Sequence, residues 1–201
     1  MSRVRGGPAA VWWLMPPLAL LLAACTATEA PPSAAQDATS PFADCAALSA
    51  PSAAVSAASM ATAELPDLSL PCFTGGSPVR LAAVRGPAVI NLWASWCAPC
   101  REELPVIQEL ADATAGRLQV VGVDTGDGRD AGASFAADQG VSFPTLFDPG
   151  QKLLTAVGKV SLPVTVFVSA AGESFVYAGK ALDKPALGAL VRAHTGVAVT
   201  G

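Results

Sequence analysis

The chain has 201 residues, with 12 basic residues against 16 acidic ones, a single histidine and five cysteines. This mildly acidic balance offers no basic stripe to neutralise phosphates, which argues against nucleic acid as a partner. The length allows one domain with a proper core plus a leader.

Arg3 and Arg5 precede an apolar run from Val11 to Ala24, and small residues lead into Cys25, the layout of an export signal. The run is fourteen residues long and broken by Pro16-Pro17, below the roughly 20 residues a transmembrane helix needs. The tetrad Leu22-Ala23-Ala24-Cys25 resembles the lipobox of bacterial lipoproteins. The resemblance implies that residues 1–24 are a signal peptide, that Cys25 is lipidated, and that the domain works outside the cytoplasm, anchored to the cell membrane by its acyl chains. A plain secreted protein and an uncleaved anchor are the alternatives. Cleavage would leave 10 basic against 16 acidic residues and move the formal charge from -4 to -6.

From 25 to 64 the chain is mostly Ala, Pro, Ser and Thr, too poor in large apolar residues to offset the entropy of ordering. Residues 26–43 read as a flexible tether, and Cys45 to Met60 as a short Ala-rich helix weakened by its serines and prolines. The remaining stretch, 65–201, is the domain. Leu68-Ser69-Leu70 and Val79-Arg80-Leu81 predict a leading β-hairpin around the Gly75-Gly76 turn. Ala88 to Ala94 predicts a buried strand, Ala98 to Thr114 a helix, and Leu118 to Asp124 a second buried strand of a parallel sheet. Asp130 to Gln139 predicts a helix, Thr145 to Phe147 a strand, and Gln151 to Val157 another helix. Strands at Val164–Ser169 and Ser174–Ala178, joined by the Ala171-Gly172 turn, and a helix at Lys184–His194 complete the order. The fold class is α/β, a mixed central sheet with helices on both faces, an inserted α-β unit and an N-terminal β-hairpin.

The chemistry sits in Trp96-Cys97-Ala98-Pro99-Cys100, between a buried strand and a helix. Two cysteines two residues apart at a helix start can close a small disulfide ring. The first thiol there meets unpaired backbone N–H groups and the positive end of the helix dipole, which favour the nucleophilic thiolate. With Cys97 and Cys100 as a redox pair and Cys25 lipidated, Cys45 and Cys72 remain. In an oxidising compartment they are expected to form a structural disulfide, two free thiols or an intermolecular bond being the alternatives.

This motif after a buried strand, Pro105 five residues beyond it, and Leu162-Pro163 before the strand Val164-Thr165-Val166-Phe167 together resemble the thioredoxin superfamily. With the inserted α-β unit and the lipobox, residues 65 to 195 resemble the TlpA/ResA group of membrane-tethered thiol-disulfide oxidoreductases. The resemblance implies a cis peptide before Pro163, facing the dithiol, with Leu162 pairing with an extended substrate; a trans proline opening a strand is the plain alternative. It implies that Glu103 moves or tunes a proton beside the dithiol, where thioredoxins use a buried aspartate at the position of Asn91. A solvated helix acid is the alternative for Glu103 and the expectation for Glu102. Trp96, Ala98 and Pro99 would shape the docking surface, Trp93 reads as core, and Pro105 reads as a helix kink.

The resemblance further implies exchange with disulfides of exported proteins, apocytochrome c among them, with a membrane thiol donor and no cofactor. One rival is an oxidase running the same exchange backwards. Another is a peroxiredoxin-like peroxidase, disfavoured because Ala94 stands where that family places a Thr or Ser three residues before the reactive cysteine. A third is a lipid-anchored binding module. Other signals are weak. Arg101 rather than His follows Cys100, against covalent haem attachment, and zinc would need two more well-spaced ligands. His194 reads as a cap or surface residue. Asp124, Asp127 and Asp130 miss the calcium-loop spacing and read as a loop and helix cap, and Gly126-x-Gly128 lacks the third glycine of a dinucleotide site.

Overall fold

The structure, a computed structural model, describes residues 40–49 and 65–199. The expected signal peptide, Cys25 and most of the Ala-rich tether lie outside the described residues. After a short hairpin of β1 (Ser69–Leu70) and β2 (Val79–Arg80) come β3 (Ala88–Trp93), α1 (Ala98–Ala113), β4 (Gln119–Thr125), α2 (Arg129–Asp138), β5 (Thr145–Asp148), α3 (Lys152–Ala156), β6 (Val164–Val168), β7 (Ser174–Ala178) and α4 (Lys184–Thr195). The main sheet has the order β5-β4-β3-β6-β7. β3 pairs parallel with β4, and β4 with β5, while β6 runs antiparallel to both β3 and β7.

Strand periodicity explains the two cores. Val89 and Trp93 of β3 and Phe167 of β6 point to one face, where they meet Leu104 and Ile107 of α1, Phe135 of α2 and Leu187 and Val191 of α4. Ile90 and Leu92 of β3, with Val121, Val123, Val164 and Val166, point to the other, where they meet Leu153 and Leu154 of α3 and Leu70, Val79 and Leu81 around the hairpin. Covered on both faces and paired on both edges, every residue of β3 is buried, which is why its sequence is an almost unbroken apolar run. Gly86, just before β3, is dictated by packing: a Cβ there would overlap the Ser169 carbonyl.

The outer edge of β5 is closed by residues 71–73, whose backbone pairs through Phe73 N–H to Thr145 O at 2.8 Å and Phe147 N–H to Pro71 O at 2.9 Å. This cover removes a row of unpaired donors and acceptors from the sheet edge.

Part of the tether differs from expectation. Phe42, Cys45 and Leu48 are buried, a 3-10 turn spans Ala46–Ser49, and Cys45 and Cys72 are joined in a disulfide of 1.98 Å. The Phe42 ring lies 4.7 Å from that of Phe73 and 6.1 Å from that of Trp93. The folded unit therefore takes in residues 40–48 rather than starting at 65. Composition hid this, because two apolar anchors and one covalent link suffice to dock a segment that is otherwise small and polar. The rest of the predicted helix to Met60 lies outside the described residues. Smaller differences are local. Gly128 rather than an aspartate is the N-cap of α2, and α3 begins at Lys152 after Gln151, which adopts a left-handed φ of 54°.

Replacing Cys45 and Cys72 together with alanine releases a loop spanning 27 residues. The expected outcome is a loss of about 3 to 4 kcal/mol in unfolding free energy on the chain-entropy account, read by urea titration of the chain with Cys97–Cys100 oxidised. A loss below about 1 kcal/mol would mean that packing of Phe42 and Leu48, not the cross-link, holds the arm.

Candidate active site

β3 ends at Trp93, a turn follows, and α1 begins at Ala98 with Cys97 as its N-cap. Pro99 fits in the first turn because the N–H it lacks would have had no helical partner. Cys97 Sγ accepts the backbone N–H of Cys100 at 3.3 Å, the cap interaction a Ser or Asp commonly makes, here made by sulfur. Cys97 and Cys100 form a disulfide of 2.00 Å. Cys97 keeps 5% of its surface in solvent and Cys100 1%, so an incoming sulfur has the first cysteine as its approach.

Around the dithiol, Trp96 is 60% exposed, Ala98 and Pro99 are exposed, Leu162 is half-buried and Pro163 is buried. The Leu162–Pro163 peptide is cis. Leu92 pairs with Val164 across β3 and β6, so Pro163 lies beside the end of β3 from which the motif departs. Pro105 sits within α1, which continues through it. Trp93 is fully buried, as expected, and Glu102 is exposed.

Glu103, one turn beyond Cys100, is not a solvated helix acid. It is 1% exposed. Its Oε1 accepts from Asn91 Nδ2 at 3.2 Å and from the Thr165 hydroxyl at 3.2 Å, and Asn91 also donates to Thr165 Oγ1 at 3.0 Å. One carboxyl thus ties α1 to β3 and β6. Burial pushes its pKa up from 4.5 to about 7, the Thr165 hydroxyl and the Leu182 backbone only partly opposing the shift. A carboxyl that is half protonated near neutrality can both take and return a proton.

On the other side of the motif, the β4–α2 loop cradles the residues before Cys97. Asp127 Oδ2 accepts the Ser95 N–H at 2.5 Å, Asp127 Oδ1 accepts the Gly128 N–H at 2.7 Å, and the Trp96 indole donates to Gly126 O at 3.0 Å. Arg101 donates to Ser95 O at 3.2 Å and lies over the Phe135 ring. Asp124 departs from the expectation of a loop acid: it lies within β4 and is fully buried. The alternation of β4, which turns Val120, Gly122 and Asp124 to the α1 side, was the available signal. His194 stacks flat on Phe175 at 3.7 Å, away from this cluster in sequence and on the last turn of α4. Among the described residues no group of three or more His, Cys, Asp or Glu side chains is arranged to hold a metal.

A family model described as the AhpC/TSA family matches residues 61–173. The chain belongs to that family. It is 28% identical over 102 residues to the thiol-disulfide oxidoreductase ResA of Bacillus subtilis, covering 50% of this chain and 57% of the relative, so it spans little more than half the length of that protein. It is 40% identical over 77 residues to thioredoxin 1 of Synechococcus elongatus, covering 37% of this chain and 68% of the relative. The solved structure of a secreted Mycobacterium tuberculosis disulfide oxidoreductase homologous to E. coli DsbE superposes with a TM-score of 0.57 at 25% identity, over 63% of this chain and 96% of that one. The fold is thioredoxin-like, as the motif implied, and Cys97–Cys100 occupies its strand-to-helix junction.

Because the pKa of Glu103 is raised on folding, its contribution to stability is complete below about pH 4.5 and is lost as pH rises through about 7. At about 1.4 kcal/mol per pH unit the full loss is about 3 kcal/mol. Urea titrations of oxidised wild type and Glu103→Gln at pH 4.5 and pH 8 should differ by that order, the Gln variant gaining relative to wild type at the higher pH. An equal difference at both pH values would place the Glu103 pKa near its ordinary range.

Proposed function

We propose that this chain is a thiol-disulfide oxidoreductase working outside the cytoplasm, lipid-anchored through Cys25, and reducing disulfides in exported proteins. The observation that carries the reading is the Cys97–Cys100 disulfide at the N-terminus of α1, Cys97 the more exposed of the two residues. The named relatives support the chemistry, the secreted neighbour and the leader pattern support the location, and apocytochrome c is the target class the resemblance implies.

In the reduced enzyme Cys97 is the nucleophile, its thiolate favoured by the helix N-terminus. It attacks one sulfur of a partner disulfide. The partner S–S bond breaks, a Cys97–partner bond forms, and the departing partner sulfur takes a proton. Cys100 then passes its proton to the Glu103 carboxylate and attacks Cys97 Sγ, the Cys97–partner bond breaks, and the second partner sulfur leaves as a thiolate that takes a proton from solvent. Two electrons have moved to the partner, and the enzyme holds its own disulfide. A membrane dithiol resets it by the same exchange in reverse. Trp96, Ala98, Pro99, Leu162 and Pro163 form the docking surface, the exposed indole of Trp96 offering an apolar contact beside Cys97. Ala94, buried three residues before Cys97, supplies no hydroxyl for peroxide chemistry.

Reduction of a disulfide-bonded apocytochrome c peptide should be abolished by Cys97→Ser. Cys100→Ser should instead accumulate a mixed disulfide through Cys97, visible by mass spectrometry. Turnover surviving in Cys97→Ser would sink the reading. Equilibration against defined dithiol buffers decides direction: a potential near or below about -270 mV fits a reductase, and one near -120 mV fits an oxidase.

A further inference from the structure

Among the described residues, Asp124 is the fully buried carboxyl beside the motif that the exchange cycle does not use. No N–H or O–H donor among them reaches either of its oxygens. Its Cα partners across the sheet, Trp93 on β3 and Phe147 on β5, bring no charge. Above it α2 packs so closely at Gly132 that a Cβ there would overlap Asp124 Oδ2. The charged groups acting on it are Asp127 from the β4–α2 loop and Arg129 from the first turn of α2. Arg129 is committed elsewhere: its guanidinium lies over the rings of Phe73 and Phe147 and donates to Phe73 O. The charge that opposes ionisation of Asp124 is a second carboxyl, Asp127, three residues on in the β4–α2 loop, and two carboxyls meet favourably only when one of them carries a proton.

Asp127 is also the residue that grips the active-site turn, through its bond to the Ser95 N–H, while the adjacent Gly126 carbonyl holds the Trp96 indole. We propose that Asp124 is held protonated and donates its O–H to Asp127, and that this proton positions Ser95 and Trp96 in front of Cys97. With the proton in place, the Asp127 carboxylate accepts three donors: the Asp124 O–H, the Ser95 N–H and the Gly128 N–H. When the proton leaves to solvent, two like charges face each other, one of them buried without a donor. Half-buried Asp127 is the partner free to move, and its departure releases the Ser95 N–H. Asp124 is thus a positioning residue that acts on the dithiol through Asp127. Burial and the Asp127 charge raise its pKa to about 8, with Arg129 opposing, which puts the release just above neutrality.

The consequence for catalysis rests on the exchange reading, but the test of the lock does not, since it uses the oxidised chain, in which no thiol of the redox pair titrates. In the full-length oxidised protein, the Asp124 carboxyl carbon and the Ser95 amide are followed by NMR from pH 6 to 10. Both are expected to shift together with a midpoint near pH 8. The Ser95 transition should vanish in Asp124→Asn, whose neutral amide can still donate to Asp127, and persist in Glu103→Gln. A Ser95 amide that stays put while Asp124 titrates, an Asp124 carboxyl that titrates below pH 6, or a Ser95 transition that survives in Asp124→Asn overturns the proposal. If Asp124→Asn does not fold, the wild-type correlation decides alone. In the exchange assay, the wild-type rate should fall relative to Asp124→Asn above pH 8. Absence of exchange in both would count against the proposed function, and the titration would still decide whether the lock exists.

Discussion

The bond set around Glu103 is the constraint on which the rest of the site depends. A carboxyl with almost no solvent contact can sit under a redox helix only if its oxygens are met or its charge is removed. Asn91 and Thr165 meet one oxygen, and the raised pKa removes the charge for part of the time. The same contacts fix where α1 starts, because they tie its first turns to β3 and β6. With α1 held there, Cys97 falls at the N-cap and Cys100 one turn inward, under cover. The helix N-terminus then favours the thiolate on the outer sulfur, and the protonatable carboxyl lies one turn beyond the inner one.

The sheet supplies the rigidity that this arrangement needs. β3 is covered on both faces and paired on both edges, so the turn that follows it departs from a firmly held strand. Closing the β5 edge with residues 71–73, and stapling that segment to the 40–48 arm through Cys45–Cys72, brings Phe42 and Phe73 into the core that also holds Trp93, Cys97 and Cys100. The structural disulfide, packed in the other core, thus braces through Phe42 and Phe73 the cluster that the redox disulfide occupies, and the two differ in exposure: Cys45 and Cys72 are wholly interior, and Cys97 borders exposed Trp96, Ala98 and Pro99.

Two buried carboxyls flank the motif, and they differ in what meets them. Glu103 has an amide and a hydroxyl, whereas Asp124 has another acid. The first arrangement suits moving a proton at the inner cysteine. The second couples a proton to the geometry of the outer one through Asp127, Ser95 and Trp96. Both shifts arise chiefly from loss of water, so both report packing rather than local sequence.

The strands, helices and dithiol were legible in the chain because their signals are local: short, nearly unbroken apolar runs, a Cys-x-x-Cys between a strand and a helix, and Leu162-Pro163 before a strand. Gly128 replaced the expected acidic cap on α2, and the short α3 began one residue late, both within the reach of local turn chemistry. What the sequence by itself determined was the element order, the strand-to-helix junction that carries Cys97 and Cys100, and the carboxyl one turn beyond. Only the tertiary structure decided that Glu103 is buried against Asn91 and Thr165, that Asp124 is buried without a donor, and that residues 40–48 belong to the domain. The reason is desolvation: whether a carboxyl or a phenyl ring leaves water depends on atoms contributed from distant positions, which no short stretch of sequence contains.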